Sequence, residues 1–490
     1  MSMHVERRVL INTAVLGTGE VVGQLANFAF VVLLARTYGV EIFGWYSFAM
    51  ALGAVLSVFV SVGGTGYVTR ELAREPVRAQ AIFEALRSVQ VWSGLVVWLL
   101  IALTAVLSGV EPREGFVIVI VGAYHVLLRM AALFLAPTTA RQRPLASAVA
   151  GGGHRILVAV LAAIAIVLGL DAPTTLLAMP FAALLALLAA RAHSGPEMAA
   201  AAAIEPVNRA TVIRASLPFL GAALLAVVYS RGGLLLLTAM KGEIATGLFA
   251  VADRLLVPIY MVTAVLATAL LPALAMLEAD RARMRELARR CLRLVLLASV
   301  PLCAMLAIFS TEIVTLLFGP ELRPAATTLA MLAPLPVLRS ITSLWSTQCI
   351  AIRDERRVAL AKTRATVAFF ILAAIGIGLA GATGLAIACV ASEAYLALGL
   401  RAMLAGHSLY EPTWRVALGP VIAALAAAAV ATTVTTMALP LRLLLVVGVM
   451  AVVLLLLGGV RLHDLRFLDR IMRGDATPDP ARRTISRIGE

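Results

Sequence analysis

The sequence predicts an all-α polytopic membrane protein with about 14 transmembrane helices: two six-helix lobes related by a parallel pseudo-two-fold repeat, plus two C-terminal helices. Three observations predict this. Of 490 residues, 61% are apolar and 14% charged, against roughly 45–50% and 25% in soluble domains. Mean hydropathy is +0.97, too high for a β-barrel, whose strands alternate apolar and polar residues. Lysine and arginine also alternate from loop to loop: about 32 fall in the loops and tails assigned to the inside and about five outside, namely Arg36, Arg113, Lys241, Arg323 and Arg442.

The elements follow from apolar runs bounded by charges or Gly/Pro turns. The basic leader MSMHVERR precedes a first run too long for a signal peptide and without a small-residue cleavage site, so it reads as a retained span. Six spans are expected at 9–35, 44–69, 88–110, 116–136, 154–170 and 174–190, filling an N-terminal lobe over 1–192. The Ala/Pro-rich stretch 193–214 reads as a cytoplasmic linker. Six more spans, at 215–240, 244–277, 294–317, 325–352, 358–379 and 384–404, make a C-terminal lobe over 215–405. Two further spans, 416–438 and 443–460, lie within 406–460, and a basic tail, 461–490, opens with a leucine-spaced segment suited to an anionic leaflet. An even number of spans puts both termini on one side, and the Lys/Arg bias makes that side the cytoplasm.

Landmarks recur in order in the two halves. GVEIFGWYSFA from Gly39 and KGEIATGLFAVA from Lys241 follow the first span of each lobe, each with Glu-Ile and a Gly expected to start the next helix. RELAR occurs at 70–74 and again at 285–289, and basic loops at 141–143 and 353–357 make a third pair. Both copies start inside, so the repeat is parallel, with its axis along the membrane normal.

The net charge of +14 would suggest a nucleic-acid partner in a soluble protein. Here the basic clusters follow topology and lack interleaved aromatics, so no nucleic acid is expected. Cys291, Cys303, Cys349 and Cys389 lie in or beside apolar segments without C-x-x-C spacing, and no metal, cofactor or catalytic motif is present. Chemistry is therefore sought in ionisable groups inside spans, which are costly if they face lipid. Glu20, Gln24 and Asn27 recur at i, i+4 and i+7 on one face of span one. Arg339 with Ser343 and Ser346 makes a similar stripe in span ten, and Arg231 and Asp253-Arg254 fall at similar depth on adjacent spans. An Arg231–Asp253 structural pair is the competing reading there.

Counting Arg129, Arg231, Arg254 and Arg339 against Glu20, Asp253 and Glu393 leaves a small cationic surplus. Arg129 can instead snorkel to the inner interface, Arg70 can act as a topology anchor, and Glu20, Asp253 and Glu393 are candidate counter-ions or ion-coupling groups. A cationic, hydrated cavity suits an anionic headgroup, because guanidinium offers phosphate a planar, permanently charged fork.

The run Leu34-Ala35-Arg36-Thr37-Tyr38-Gly39 through Phe43-Gly44-Trp45-Tyr46-Ser47, then Val62-Gly63-Gly64 through Arg70, resembles the N-terminal pattern of polysaccharide transporters, the Wzx-type oligosaccharide flippases of the multidrug/oligosaccharidyl-lipid/polysaccharide exporter superfamily. Gly247-Leu248-Phe249 with Ala252, Phe318-Gly319-Pro320-Glu321, and 381–388 extend the likeness over nearly the whole chain. The resemblance implies 14 spans, a central cationic cavity and alternating access that carries undecaprenyl-diphosphate-linked oligosaccharide outward across the bacterial inner membrane. Glycosyltransferases and a polysaccharide polymerase are the implied partners. The family often carries an Asp after a polar residue in span seven; Ser230-Arg231 departs from that. A cation-coupled multidrug exporter is the nearest alternative, with 12 spans and an acid-rich cavity. A membrane-embedded glycosyltransferase or polymerase would need a large acidic outer loop, and no outer loop here exceeds about a dozen residues.

Overall fold

A computed structural model describes residues 2–74, 76–140, 144–199, 207–278 and 280–457. The basic loop at 141–143, residues 200–206 of the inter-lobe linker and the basic tail lie outside the described residues. Helices account for nearly everything described: α1 (Ser2–Leu56), α2 (Gly64–Arg74), α3 (Pro76–Leu107), α4 (Pro112–Ala140), α5 (Pro144–Val167), α6 (Ala172–Leu176), α7 (Ala178–Ala199), α8 (Arg209–Met276), α9 (Arg281–Ile308), α10 (Ser310–Phe318), α11 (Ala325–Leu332), α12 (Leu335–Ala351), α13 (Glu355–Gly406), α14 (Trp414–Thr433) and α15 (Leu439–Leu456). Among the described residues there is no strand.

Three of these helices are too long to cross once. At 1.5 Å per residue the 55, 68 and 52 residues of α1, α8 and α13 would run far beyond a hydrocarbon core of about 30 Å. Each reverses at a glycine with positive φ: Gly39 (φ 78), Gly242 (φ 79) and Gly381 (φ 57). Contacts across each bend establish the hairpins. Phe30 and Tyr46 rings meet at 5.9 Å, the Thr238 and Thr246 hydroxyls at 2.8 Å, and Gly376 backs onto Gly384. In straight helices these pairs would be about 12 Å or more apart.

Ten stretches among the described residues are long and apolar enough to span a membrane, and Gly152–Val167 is a shorter apolar helix. Three of the ten are the hairpins, each crossing twice. With α5 included, the described residues therefore supply fourteen spans.

The glycine expected to start the second span of each repeat does not. A single residue in the left-handed region suffices to reverse the chain, so the helix resumes directly after Gly39 and Gly242, and Gly44 and Gly247 each sit five residues further on. Equivalence in the two halves therefore follows the Gly-x4-Gly spacing, and Glu-Ile is offset by one residue. Four spans read as continuous are interrupted. Span two breaks between Leu56 and Gly64 into α1 and α2, and span six breaks at Leu177 into α6 and α7. Span nine breaks at Phe309 into α9 and α10, and span ten breaks at Ala333-Pro334 into α11 and α12, where proline lacks the N–H a continuing helix requires.

The chain divides into two compact units: Met1–Val251 with Val314–Pro324 and Ile377–Ala382, and Ala252–Ile313 with Ala325–Gly376 and Thr383–Glu490. In the first unit α1 packs on α5 through glycines. A Cβ on Gly152 would lie 2.9 Å from the Gly19 carbonyl oxygen, and one on Gly23 would lie 3.2 Å from that of Gly152. Close small-residue packing of this kind drives helix association where no hydrophobic effect operates. The α5–α6 corner is tied by the Tyr38 hydroxyl, which donates to the Leu170 carbonyl at 2.8 Å. Asp171 caps α6 by accepting the Thr174 N–H at 3.3 Å, and the Thr174 hydroxyl holds its carboxyl below the usual carboxylate range. That depression favours the fold above the ordinary carboxylate pKa and is lost as pH falls below it.

In the second unit a core of Leu292, Leu296, Leu344, Trp345, Leu400 and Leu404 joins α9, α12 and α13. Helix α14 packs on both α9 and α15, and Phe309, Ala423, Ala427 and Val446 share one apolar cluster. Arg442 braces the start of α15 against α10, with Nη1 2.6 Å from Glu312. Within α13, a Cβ on Gly384 would overlap the Gly376 carbonyl. Gly384→Val is therefore expected to force the hairpin legs apart and cost about 1–3 kcal/mol of stability, as overpacking does. Thermal unfolding of detergent-solubilised protein checks this; a midpoint equal to the parent's would show that the legs tolerate a side chain.

Candidate functional site

The polar residues anticipated within spans fall into clusters in each unit. In the first, Glu20 accepts hydrogen bonds from Gln24 Nε2 at 3.1 Å and from Arg155 Nη1 at 2.6 Å. Arg155, on α5, is a partner that sequence reasoning missed. The polar face of span one was read alone, and residue 155 lay at the edge of an apolar run, where arginine reads as topology. Buried His154 follows Tyr124 in the same cluster, its Nε2 3.3 Å from the phenol oxygen. Asn27 lies one turn beyond Gln24 and is partly buried.

Arg129 is also partly buried in this unit, its Nε donating weakly to Ser57 at 3.4 Å. On α2, Arg70 is held by the adjacent Glu71, with Nη2 at 2.9 Å, and is flanked by the Tyr67 and Phe219 rings at 5.2 Å each. Gly63, with φ +74, lets α8 approach so closely that a Cβ there would lie 2.5 Å from the Ser216 carbonyl oxygen. Arg70 thus joins the seam of α2 and α8. Arg231 is partly buried in the same unit.

The second unit holds Asp253, Arg254, Arg339 and Glu393. Arg339 projects from the second turn of α12, just after the Pro334 break. Its guanidinium lies 4.7 Å from the centre of the Tyr260 ring, and its Nε is 3.7 Å from Glu393 Oε2. Glu393 is 3% exposed and accepts a hydrogen bond from the Thr342 hydroxyl. Sequence spacing gave Glu393 no polar neighbours, because its partners come from another helix. Tyr260 and Thr342 went unnoticed for the same reason. The Tyr260 hydroxyl is buried with no hydrogen-bond partner. Arg254 is partly buried and forms no ion pair among the described residues.

The chemistry of the Arg339 group lies in its geometry. A charge-assisted N–H···O bond is about 2.7–2.9 Å long, so a 3.7 Å approach compensates charge without engaging the donor tightly. Tyr260 takes the flat face of the guanidinium and leaves its N–H edge available. About a third of the Arg339 side chain, 32%, remains accessible. The open N–H edge can take an anionic oxygen while Glu393 keeps its place beside the guanidinium at 3.7 Å.

A family model described as "Polysaccharide biosynthesis protein" matches residues 9–278. No curated protein matches the sequence. Among solved structures, the chain is similar to a lipid II flippase, MurJ, in an inward closed conformation, at 13% identity and TM-score 0.71, with 93% of this chain and 99% of that chain covered. A multidrug resistance MATE family transporter of the MOP superfamily, inward-facing, gives TM-score 0.56 at 14% identity, covering 80% of this chain and 96% of that chain. The Vibrio cholerae MATE transporter VcmN in its bent form gives TM-score 0.53 at 14% identity, covering 84% and 99%. At these identities the likeness is one of fold.

Proposed function

We propose, for a chain that belongs to the polysaccharide biosynthesis protein family, that it is a flippase: it carries undecaprenyl-diphosphate-linked oligosaccharide from the cytoplasmic to the outer leaflet by alternating access. The observation that carries this reading is Arg339, a guanidinium kept within a membrane span, stacked on Tyr260 and loosely compensated by Glu393. Diphosphate is the ligand to which that exposed edge is matched. Arg254, in the same unit, supplies further positive charge, and the prenyl tail stays in lipid.

Two features favour a lipid cargo over a drug. Helices α14 and α15 complete fourteen spans where a drug exporter of this superfamily has twelve. The flippase match, with a lipid as its named cargo, also covers more of this chain than the two transporters do. Energy is available without an ion gradient. With the interior negative, an outward-moving charge of −2 gains roughly 4.6 kcal/mol at 100 mV. The protein moves its cargo without making or breaking a covalent bond. It works in the bacterial inner membrane with both termini cytoplasmic, beside the glycosyltransferases and polymerase of a surface-polysaccharide system.

Reconstitution into proteoliposomes with a fluorescent undecaprenyl-diphosphate oligosaccharide tests this, translocation being read by loss of fluorescence to a membrane-impermeant quencher. The parent is expected to move the lipid, and Arg339→Gln and Arg254→Gln each to slow it by about tenfold or more, as loss of a charged hydrogen-bonding partner does. Efflux of a cationic dye with no lipid translocation would replace this reading with the drug exporter.

A further inference from the structure

A second cationic site lies away from the Arg339 group, within the hairpin α13. A cavity of about 380 Å³ opens there, lined by Arg357, Leu360, Arg364, Tyr395, Leu398 and Gly399 among others. Leu360, Leu398 and Tyr395 are 49%, 62% and 47% exposed, so the cavity faces outward from the unit.

Helix geometry fixes its depth. The chain reverses at Ala380-Gly381. Counting from Ala380 at 1.5 Å per residue, Arg364 lies about 24 Å along the first leg and Arg357 about 35 Å, against a hydrocarbon core of about 30 Å. Tyr395 lies at about 22 Å on the return leg, level with Arg364, where an amphipathic ring belongs at the inner interface. Arg364 therefore extends its guanidinium to the inner headgroups, and Arg357 sits among them.

The hollow is not a by-product of packing. Gly376 and Gly384 are small because two backbones touch, but nothing approaches Gly399 that closely. A Cβ there would meet only the Ala361 methyl, at 4.0 Å, and its φ is not in the left-handed region. The missing side chain leaves an apolar slot leading from lipid to two cations. Those cations are available: Arg357 makes one long contact, 3.7 Å to Asp354, which also faces His407 at 3.2 Å, and Arg364 forms no ion pair among the described residues.

We infer that this slot binds an anionic glycerophospholipid of the cytoplasmic leaflet, its acyl chain along Leu360 and Leu398 over Gly399 and its phosphate on Arg364 and Arg357. Basic pockets flanked by transmembrane helices on the inner side recognise such headgroups. The two arginines stand seven residues, about 10 Å, apart along the helix, which suits diphosphatidylglycerol with its two separated phosphates.

Native mass spectrometry of the full chain released from phosphatidylethanolamine vesicles containing diphosphatidylglycerol tests the inference. The parent is expected to retain diphosphatidylglycerol in preference to phosphatidylethanolamine. Arg364→Gln should weaken retention roughly fivefold, and the Arg357→Gln/Arg364→Gln pair further. Gly399→Leu fills the slot with every charge intact and should also lose the lipid; Leu398→Trp serves the same purpose if that variant does not fold. Both arginine positions are exposed, so unchanged elution and thermal midpoint are expected as controls.

Equal retention in the arginine variants, or loss with the arginine changes but not with the filled slot, would reduce these residues to topology anchors and overturn the inference. Displacement of the phospholipid by undecaprenyl diphosphate at equal concentration would also overturn it, by assigning the slot to the transported lipid. A flippase reading that failed in proteoliposomes would leave this outcome unaffected, since retention is measured without transport.

Discussion

Replacing Glu393 with Ala is expected to lower stability by about 3 kcal/mol, the lower end of the cost of stranding one member of a buried ion pair. The lower end applies because Arg339 keeps 32% of its side chain accessible while Glu393 keeps 4%. Glu393→Gln should cost less, because its amide oxygen still accepts from Thr342. Removing both charges in Arg339→Leu/Glu393→Ala should restore much of the loss, a coupling that a double-mutant cycle on thermal or denaturant unfolding reads directly. Additive losses would show that the two side chains do not depend on each other. The same cycle run on lipid translocation separates stability from transport: the double variant should be stable and slow, because the cation that receives phosphate is gone.

The second large effect is expected at the tips of the α1 and α8 hairpins. There the repeats meet reciprocally. A Cβ on Gly247 would lie 2.6 Å from the Val40 carbonyl oxygen, and a Cβ on Gly44 would overlap the Glu243 carbonyl. Val40 follows Gly39 as Glu243 follows Gly242, so each tip rests on the other at an equivalent residue. Arg36 reinforces this end of the unit by donating from Nη2 to the Leu316 carbonyl at 3.1 Å, and Phe28 packs edge-on against Phe318 at 6.4 Å.

A valine at 247 has no soft neighbour to displace, since the obstacle is backbone. An overpacking cost of about 2 kcal/mol falls on the arrangement with tips together and should disfavour it about 30-fold. Gly247→Val is accordingly expected to cut transport by an order of magnitude with little loss of expression. A cysteine introduced by Asn27→Cys should then react faster with an impermeant thiol reagent added outside. Unchanged labelling and transport would show that the tips need not touch during the cycle.

Much of the architecture was legible because a membrane imposes a strong one-dimensional code. Each span must be apolar over about 20 residues, and arginine and lysine mark the inner side. Length and loop charge therefore yielded the fourteen crossings, including the three helix pairs that run on as continuous helices through single glycines. The register of the internal repeat was less legible. Glu-Ile looked equivalent in both halves, but backbone reversal depends on the glycine φ, so Gly39 and Gly242 set the register instead.

The candidate sites were legible by half. Intramembrane arginines announce themselves, since their cost demands a reason. Their partners do not, because Arg155, Tyr260 and Thr342 each meet their partners from a different helix, or from well beyond one helical turn in sequence. Glu393 shows this most clearly: isolated on its own helix, it lies against Arg339 and Thr342 from α12.

By itself, then, the sequence determined what had to be buried in lipid, how many times the chain crossed and which charges required an explanation, because these follow from solvation one segment at a time. The tertiary structure alone decided which charge answers which, where backbones touch through glycine, and which glycine, Gly399, leaves a slot, because a pairing or a cavity is made by two surfaces and is written in neither one's sequence alone.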